Sequence, residues 1–211
     1  MLVLQDGPAA GPLIILAHGA GAGADSDFMQ QLAAGLATHG CSVLRFEFPY
    51  MTKRREDGKK RPPDRAPILL QAFAEVVAQQ QRPCVIAGKS MGGRMATLLA
   101  CDDQLTAGIR QQIKGVAALG YPFHPPGKPE LLRTAHLQDF GDPLFIAQGT
   151  RDAMGSREEV AGYPLGAAIQ WLWLEDGNHD LKPRKASGYC HQDHINAAIK
   201  GLADFAFQCL A

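Results

Sequence analysis

The sequence predicts an α/β fold: a three-layer α/β/α sandwich in which a mainly parallel sheet lies between two layers of helices. Short, mostly apolar runs recur along the chain, as expected for strands that are buried on both faces. They alternate with longer stretches whose apolar residues have helical spacing, and this alternation is typical of α/β proteins. The chain has 211 residues, of which 46% are hydrophobic and 20% charged, so we expect a single domain over residues 1–211.

Six apolar runs predict the strands. The first covers residues 13–17, with Pro12 before it and Gly19 soon after it. Residues 42–46, 84–87, 116–119, 144–147 and 169–174 form the other five. Each run is short and is bounded by polar or turn-forming residues, which favours a strand over a buried helix.

Four stretches between these runs predict helices. Residues 28–39 carry Phe28, Leu32 and Leu36 at intervals of four, so these side chains share one face of a helix. The other three stretches are residues 68–81, 91–101 and 191–210. Strands and helices therefore alternate at least five times, which predicts a mainly parallel sheet with helices on both faces.

Polar residues with catalytic chemistry follow four of the predicted strands. His18 and a glycine-rich loop follow the first, Ser90 follows residues 84–87, Asp152 follows residues 144–147, and His179 follows residues 169–174. Ligands of parallel sheets bind at the carboxyl ends of the strands. The order Ser, Asp, His along the chain therefore predicts a nucleophile, an orienting carboxylate and a base at one edge of the sheet.

Residues 88–92, Gly-Lys-Ser-Met-Gly, form a G-x-S-x-G motif between a strand and a helix. In this motif small neighbours allow a sharp turn that exposes the serine hydroxyl. Ser90 is then the nucleophile, His179 its base and Asp152 the group that orients the imidazole. Backbone N–H groups of Met91 and Ala20 are the candidates for an oxyanion hole. Asp176 and Asp180 flank His179 and are alternative partners for it, but we prefer Asp152 because it follows its own strand.

These residues resemble the α/β-hydrolase superfamily over nearly the whole chain. The short length is similar to the dienelactone-hydrolase-like branch. Three strings, residues 88–94, 18–21 and 178–180, resemble the testis-expressed and acetyltransferase-complex-subunit hydrolase-like proteins and their bacterial relatives. The resemblance implies a Ser-Asp-His hydrolase fold without a well-defined substrate, and some proteins of this fold are not catalytic. Residues 123–141 are too few for the large cap domain that many members have, so we expect an open site or one covered by loops.

Three competing motifs predict other chemistry. Residues 19–24 fit G-x-G-x-x-A, and with Glu47 they suggest a dinucleotide site, but that interpretation leaves Ser90, Asp152 and His179 unexplained. Residues 88–90 partly fit a phosphate-binding loop, but Pro83 stands where its first glycine belongs. A group of residues near the last helix has metal-ligating side chains in no standard zinc spacing: Cys190, His191 and His194. We therefore expect no metal and no cofactor.

Residues 53–65 contain seven basic and three acidic residues and follow a strand, so they should lie on the side of the catalytic loops. Arg54 and Arg55 from this segment, with Lys89 beside Ser90, are candidate contacts for an anionic substrate. A solvated loop, or a docking site for a protein partner, are the other interpretations. Tyr121 and His124 follow another strand end and are candidate pocket-lining residues.

Charge and composition exclude several classes of partner. The 21 basic and 21 acidic residues balance, so bulk charge predicts neither a nucleic-acid nor a membrane partner. Five cysteines without a C-x-x-C pair, and no predicted signal peptide in residues 1–11, favour a cytoplasmic protein with reduced thiols. The sequence thus predicts a serine hydrolase acting on a small ester or thioester, with a preference for anionic substrates. A non-catalytic binding or scaffold protein of the same fold is the alternative.

Overall fold

The computed structural model describes residues 1–211 and contains one seven-stranded sheet. The strands are β1 (Val3–Asp6), β2 (Leu13–Ala17), β3 (Ser42–Phe46), β4 (Cys84–Lys89), β5 (Ile113–Leu119), β6 (Leu144–Gly149) and β7 (Ile169–Leu174). Their order across the sheet is β1-β3-β2-β4-β5-β6-β7. Only β1 is antiparallel to its neighbour, and the other six strands are parallel.

Seven helices connect or follow the strands. They are α1 (Asp27–Thr38), α2 (Pro49–Asp57), α3 (Ala66–Gln80), α4 (Met91–Ala100), α5 (Ala107–Gln112), α6 (Arg157–Ala161) and α7 (His191–Leu210). Two short 3₁₀ turns add to these, at Ala135–Leu137 and Lys185–Ser187. None of the helices is long and apolar enough to cross a membrane.

The sheet separates two apolar cores. On one face α1 and α7 pack against β-strand side chains that include Ile14 and Leu16. On the opposite face α3 and α4 pack against the alternate positions of the same strand, Leu13 and Ile15. Both faces of the central strands are therefore buried, which explains their continuous apolar runs. The predicted three-layer α/β/α sandwich is confirmed.

The structure adds elements that the sequence patterns did not predict. Strand β1 is partly exposed along its length, so its residues do not form an apolar run. Helix α5 has only six residues, and none of them is buried. Strands β4, β5 and β6 are also longer than predicted by two or three residues. Apart from Ile113, the added positions hold glycine, lysine or glutamine and so do not extend an apolar run.

The basic segment is helical in its first part and irregular in the rest. Helix α2 covers it up to Asp57 and ends at Gly58, whose left-handed φ of 69° stops the helix. At the other edge of the sheet, strand β7 carries Trp171 and Trp173, whose rings stack with centroids 5.0 Å apart. Strand β7 pairs only with β6, so these two rings lie on an edge strand.

Candidate active site

Ser90 lies in the sharp turn between β4 and α4. Its φ is 51° and its ψ is −115°, a conformation that a residue with a side chain rarely adopts. Two backbone hydrogen bonds hold it there: its N–H donates to the carbonyl of Leu119 at 3.0 Å, and its carbonyl accepts from the N–H of Arg94 at 3.0 Å. The strained turn raises the hydroxyl above the carboxyl end of the sheet, as the G-x-S-x-G motif predicts.

The glycines of this motif are required by close backbone packing. A Cβ on Gly88 would collide with the backbone of Gly92, and a Cβ on Gly92 would collide with the carbonyl group of Ala17. Strand β4 and helix α4 therefore approach each other more closely than any larger residue allows. That approach sets the angle at which the serine leaves the sheet.

Ser90, His179 and Asp152 form one hydrogen-bonded chain. His179 Nδ1 lies 2.8 Å from Asp152 Oδ2, and His179 Nε2 lies 2.7 Å from Ser90 Oγ. An ionised carboxylate only accepts hydrogen bonds, so Nδ1 carries the proton and Nε2 accepts from the serine hydroxyl. The Asp152 side chain is fully buried, while the His179 side chain is 23% exposed. The imidazole therefore contacts a buried carboxylate through Nδ1, while its side chain is partly open to solvent.

Gln148 at the end of β6 holds the carboxylate and was missed by the sequence analysis. Its Nε2 donates to Asp152 Oδ2 at 2.9 Å, and its Oε1 accepts from the N–H of Tyr121 at 2.7 Å. The N–H of Met154 donates to the other carboxylate oxygen at 2.8 Å. A buried glutamine at the end of an otherwise apolar strand needs hydrogen-bond partners. Its presence in the sequence there was the one signal that could have indicated a buried polar contact.

Asp176 and Asp180 have other partners than His179. Asp176 pairs with Arg151 and Arg184, and the hydrogen bond from Arg184 holds the pKa of that carboxyl well below its usual range. Asp180 lies 3.4 Å from the ammonium group of Lys89. The preference for Asp152 over these two aspartates agrees with the hydrogen bonds of the structure.

Lys89 anchors the loop that carries the histidine. Its buried ammonium group donates to the backbone carbonyl of His179 at 2.5 Å. Burial lowers the pKa of Lys89, and the carboxylate of Asp180 opposes that effect. Lys89 also borders a cavity beside Ser90. Lys89 therefore contacts the His179 loop and also borders the cavity in which a substrate contact was predicted.

The glycine-rich loop after β2 is fixed by two buried side chains. The N–H of Phe48 donates to His18 Nε2 at 3.1 Å, so His18 Nδ1 carries a proton and donates to the carbonyl of Gly19 at 2.7 Å. Burial lowers the pKa of His18. The hydroxyl of Tyr50 lies 3.2 Å from the same carbonyl oxygen and 3.0 Å from that of Ala20.

These bonds determine where the N–H of Ala20 points. A trans peptide directs its C=O and N–H in opposite directions, and the chain has no cis peptide. Because the carbonyl of Gly19 is held toward His18 and Tyr50, the N–H of Ala20 faces away from them. The N–H groups of Ala20 and Met91 have no acceptor in the protein. Met91 is the first residue of α4, where helices leave N–H groups unpaired.

Two cavities open on either side of Ser90. The first, of about 490 Å³, lies between the glycine-rich loop, Phe28, Lys89 and His179. The second, of about 440 Å³, lies between α3, α4 and the segment after β5. Both are bordered by Ala20 and Ser90. No large cap covers them, because residues 123–141 contain only one short 3₁₀ turn.

Two of the predicted substrate contacts do not border these cavities. Tyr121 is fully buried, and its hydroxyl donates to the carbonyl of Arg133 at 3.0 Å. His124 is 2% exposed and bonds the carbonyl of Pro125. The prediction that these side chains line the pocket was wrong. Tyr121 packs in the apolar core, and His124 is buried with its Nε2 3.6 Å from the carboxylate of Glu159.

Arg54 and Arg55 border a separate depression beside the glycine-rich loop, which does not include Ser90. Arg55 pairs with the buried carboxylate of Glu47 and with Asp25. Arg54 lies 3.4 Å from the carbonyl of Gly21. Both side chains therefore contact the loop that carries Ala20, and the structure does not bring them to Ser90.

The residues of the competing motifs have partners within the protein. Glu47, the proposed ribose ligand, is fully buried against Arg55. Nine residues separate β2 from α1, so the glycine-rich loop does not lead directly into a helix as a dinucleotide fingerprint requires. His191 and His194 each lie within hydrogen-bond distance of a backbone carbonyl, those of Asp180 and Leu181.

The strand order, the serine turn and the hydrogen-bonded chain of three residues together define an α/β-hydrolase fold. A family model described as an alpha/beta hydrolase domain matches residues 10–207. The chain belongs to this family, as the sequence resemblance implies. Its place in the dienelactone-hydrolase-like branch, and in the narrower group within it, stays a prediction.

Solved structures share this fold at low sequence identity. A monoacylglycerol lipase from Paleococcus ferrophilus is 13% identical with a TM-score of 0.69, and the match covers 97% of this chain and 98% of the lipase. An esterase domain from Rhodothermus marinus is 17% identical with a TM-score of 0.67, covering 98% and 92% of the two chains. A serine hydrolase without a lid from Xanthomonas campestris is 17% identical with a TM-score of 0.68, covering 99% and 88%.

Proposed function

We propose that this protein is a serine hydrolase that cleaves a small carboxylic ester or thioester by acyl transfer to water. The observation that carries the proposal is the continuous chain from Ser90 Oγ through His179 to the buried Asp152, with separations of 2.7 and 2.8 Å. A serine hydroxyl is a weak nucleophile until an adjacent base removes its proton. Here the base is in hydrogen-bond contact and is oriented by a buried anion.

The reaction has two stages. Ser90 Oγ attacks the carbonyl carbon while His179 Nε2 takes its proton, and Asp152 stabilises the resulting imidazolium. His179 then returns the proton to the departing alcohol or thiol, which leaves an acyl group on Ser90. Water, deprotonated by His179, attacks this acyl-enzyme and releases the carboxylic acid and the free serine.

The negative charge that develops on the carbonyl oxygen needs donors that are already in position. The N–H groups of Ala20 and Met91 serve as these donors, since both residues border the second cavity beside Ser90 and neither N–H has an acceptor in the protein. Removing one such donor typically costs about 10²–10³ in kcat. The anchoring of Gly19 by His18 and Tyr50 supports this role, because it fixes the donor before substrate binds.

The comparisons support an ester as the substrate class. The monoacylglycerol lipase and the esterase domain share the fold, and the open cavities are consistent with the lidless hydrolase. The triad itself accepts esters and thioesters alike, because the same acyl transfer serves both.

A fluorophosphonate probe tests the proposal. We expect a stoichiometric adduct on Ser90, located by peptide mass spectrometry, and no adduct in Ser90→Ala. The variant His179→Ala should react at least about 10³-fold more slowly, because the triad acts as a unit. His39→Ala, which removes an exposed histidine, is the matched control and should react normally. A folded wild-type protein without an adduct would refute the proposal and favour a binding protein of the same fold.

A further inference from the structure

Two arginines border the second cavity close to Ser90. Arg94 lies on α4, four residues after Ser90, and Arg133 lies in the segment after β5. Four residues of helix span about 6 Å, and helical side chains lean toward the helix N-terminus. Arg94 therefore leans toward the nucleophile from one turn away.

Neither guanidinium group has a partner in the protein. The buried Nε of Arg94 makes no hydrogen bond. No ion pair within 4.0 Å involves Arg94 or Arg133. Arginines that are partly withdrawn from water without a carboxylate beside them are costly. By contrast Arg55 and Arg61 of the basic segment are already ion-paired.

The two positive charges repel each other and are only partly offset. Burial and the charge of Arg94 together lower the pKa of Arg133. The same two causes lower the pKa of the neighbouring His136 to about 4, so that ring is neutral near pH 7. One carboxylate, Asp64, borders the cavity, and its buried Oδ2 has no donor. The cavity therefore keeps a net positive charge beside the nucleophile.

We propose that Arg94 and Arg133 form an anion subsite that selects esters or thioesters carrying a carboxylate or phosphate group. The proposal rests on the proposed hydrolase function and names its substrate class. The planar guanidinium fork binds carboxylate and phosphate oxygens in pairs, which gives direction as well as affinity. Much of the cavity wall is apolar and includes Leu69, Met95 and Met154. The preferred substrate thus has a short apolar stem between its scissile carbonyl and its anionic group.

Matched substrates test the selectivity. Monomethyl adipate and methyl hexanoate differ only in whether the acyl chain ends in a carboxylate or a methyl group. The pair 5-acetoxypentanoate and pentyl acetate makes the same comparison on the alcohol side, and 4-acetoxybutyl phosphate replaces the carboxylate by phosphate. In at least one of the two pairs, we expect kcat/KM to be at least about tenfold higher for the anionic substrate than for its neutral counterpart.

Substitutions locate the selectivity at the arginines. Arg94→Gln and Arg133→Gln should each lower the anionic-to-neutral ratio of kcat/KM by about tenfold, since each removes a charged hydrogen-bond donor. Arg157→Gln removes the same charge at an exposed ion pair with Glu175 and should leave the ratio unchanged. Circular dichroism shows which variants are folded. If Arg94→Gln does not fold, the substrate ratio of Arg133→Gln alone tests whether the arginines cause the selectivity.

Binding separates the subsite from catalysis. Adipate and inorganic phosphate should raise the Tm of the Ser90→Ala protein at constant ionic strength, whereas uncharged adipamide should not, and Arg133→Gln should abolish the effect. Equal kcat/KM within all the pairs together with no Tm shift would overturn the subsite, while the Ser90 adduct would still support a hydrolase. A Tm shift that depends on Arg133, without hydrolysis of any ester and without an adduct, would keep the subsite and refute the hydrolase.

Discussion

Gln148 is a buried polar side chain that connects the carboxylate of Asp152 to the loop after β5. The variant Gln148→Leu removes its amide while keeping an apolar side chain of similar length. The N–H of Tyr121 and the carbonyl of Gly155 then lose the only partners they have in the structure. Asp152 loses one of its donors but keeps His179 and the N–H of Met154.

The cost follows from those two orphaned groups. A buried donor or acceptor left unsatisfied costs roughly 1–3 kcal/mol, so the free energy of unfolding should fall by about 4 kcal/mol. For a chain of this size that corresponds to a decrease in Tm of roughly 8–16 °C. Since whole domains are stable by about 5–15 kcal/mol, the variant should fold but unfold at clearly lower urea.

Urea titration monitored by circular dichroism measures this loss. Gln170→Leu is the matched control, because it makes the same substitution at an exposed position on the neighbouring strand β7. It should change the free energy of unfolding by no more than about 0.5 kcal/mol. If the free energy of unfolding of Gln148→Leu lies within about 1 kcal/mol of the wild-type value, the hydrogen bonds of Gln148 contribute little to stability. That result would refute the prediction.

Three further predictions concern catalysis and pH. Asp152→Asn should lower kcat/KM by about 10³–10⁴ without unfolding the protein, because an amide does not stabilise the imidazolium; ester kinetics and a melting curve check both parts. Tyr50→Phe should lower kcat by about tenfold, less than loss of a direct donor, since Tyr50 only fixes the loop carrying Ala20; an unchanged kcat would exclude that role. Burial lowers the pKa of His136 from 6.5 to about 4, so the unfolded chain binds a proton there that the folded chain does not. The free energy of unfolding should therefore fall as pH drops from 6.5 toward 4, and His136→Asn should reduce that slope in urea titrations.

Burial determines which parts of the fold the sequence could predict. The central strands are covered on both faces, so their apolar runs were recognisable, as at residues 13–17. Strand β1 and helix α5 each expose much of their surface, and their sequences carry no comparable pattern. Helix α2 has buried Tyr50 and Met51 in its first turn and continues into charged residues, so its sequence resembled a solvated loop.

The site shows a similar division. Ser90, Asp152 and His179 were predictable because each lies within five residues of the end of its own strand, and parallel topology brings strand ends together. Gln148 and Tyr50 act through bonds to backbone groups distant in sequence, which no local pattern encodes. The position of Arg94 near Ser90 could have been predicted from helical spacing, because it lies four residues after Ser90. Arg133 lies near Arg94 only because of the path that the chain takes after β5. The burial of Tyr121 and His124 depends on the same path of the chain, which the sequence pattern does not indicate.

The two stacked indoles on β7 give the molecule a built-in optical reporter. They are its only tryptophans, so all of its indole fluorescence comes from one edge strand, which ends five residues before His179. Circular dichroism averages over every helix and strand instead. Coincident urea transitions by the two signals mean that edge and centre unfold together. An earlier fluorescence transition means that the strand leading to His179 detaches first. The emission spectrum then follows the position of the His179 loop more closely than it follows the whole fold.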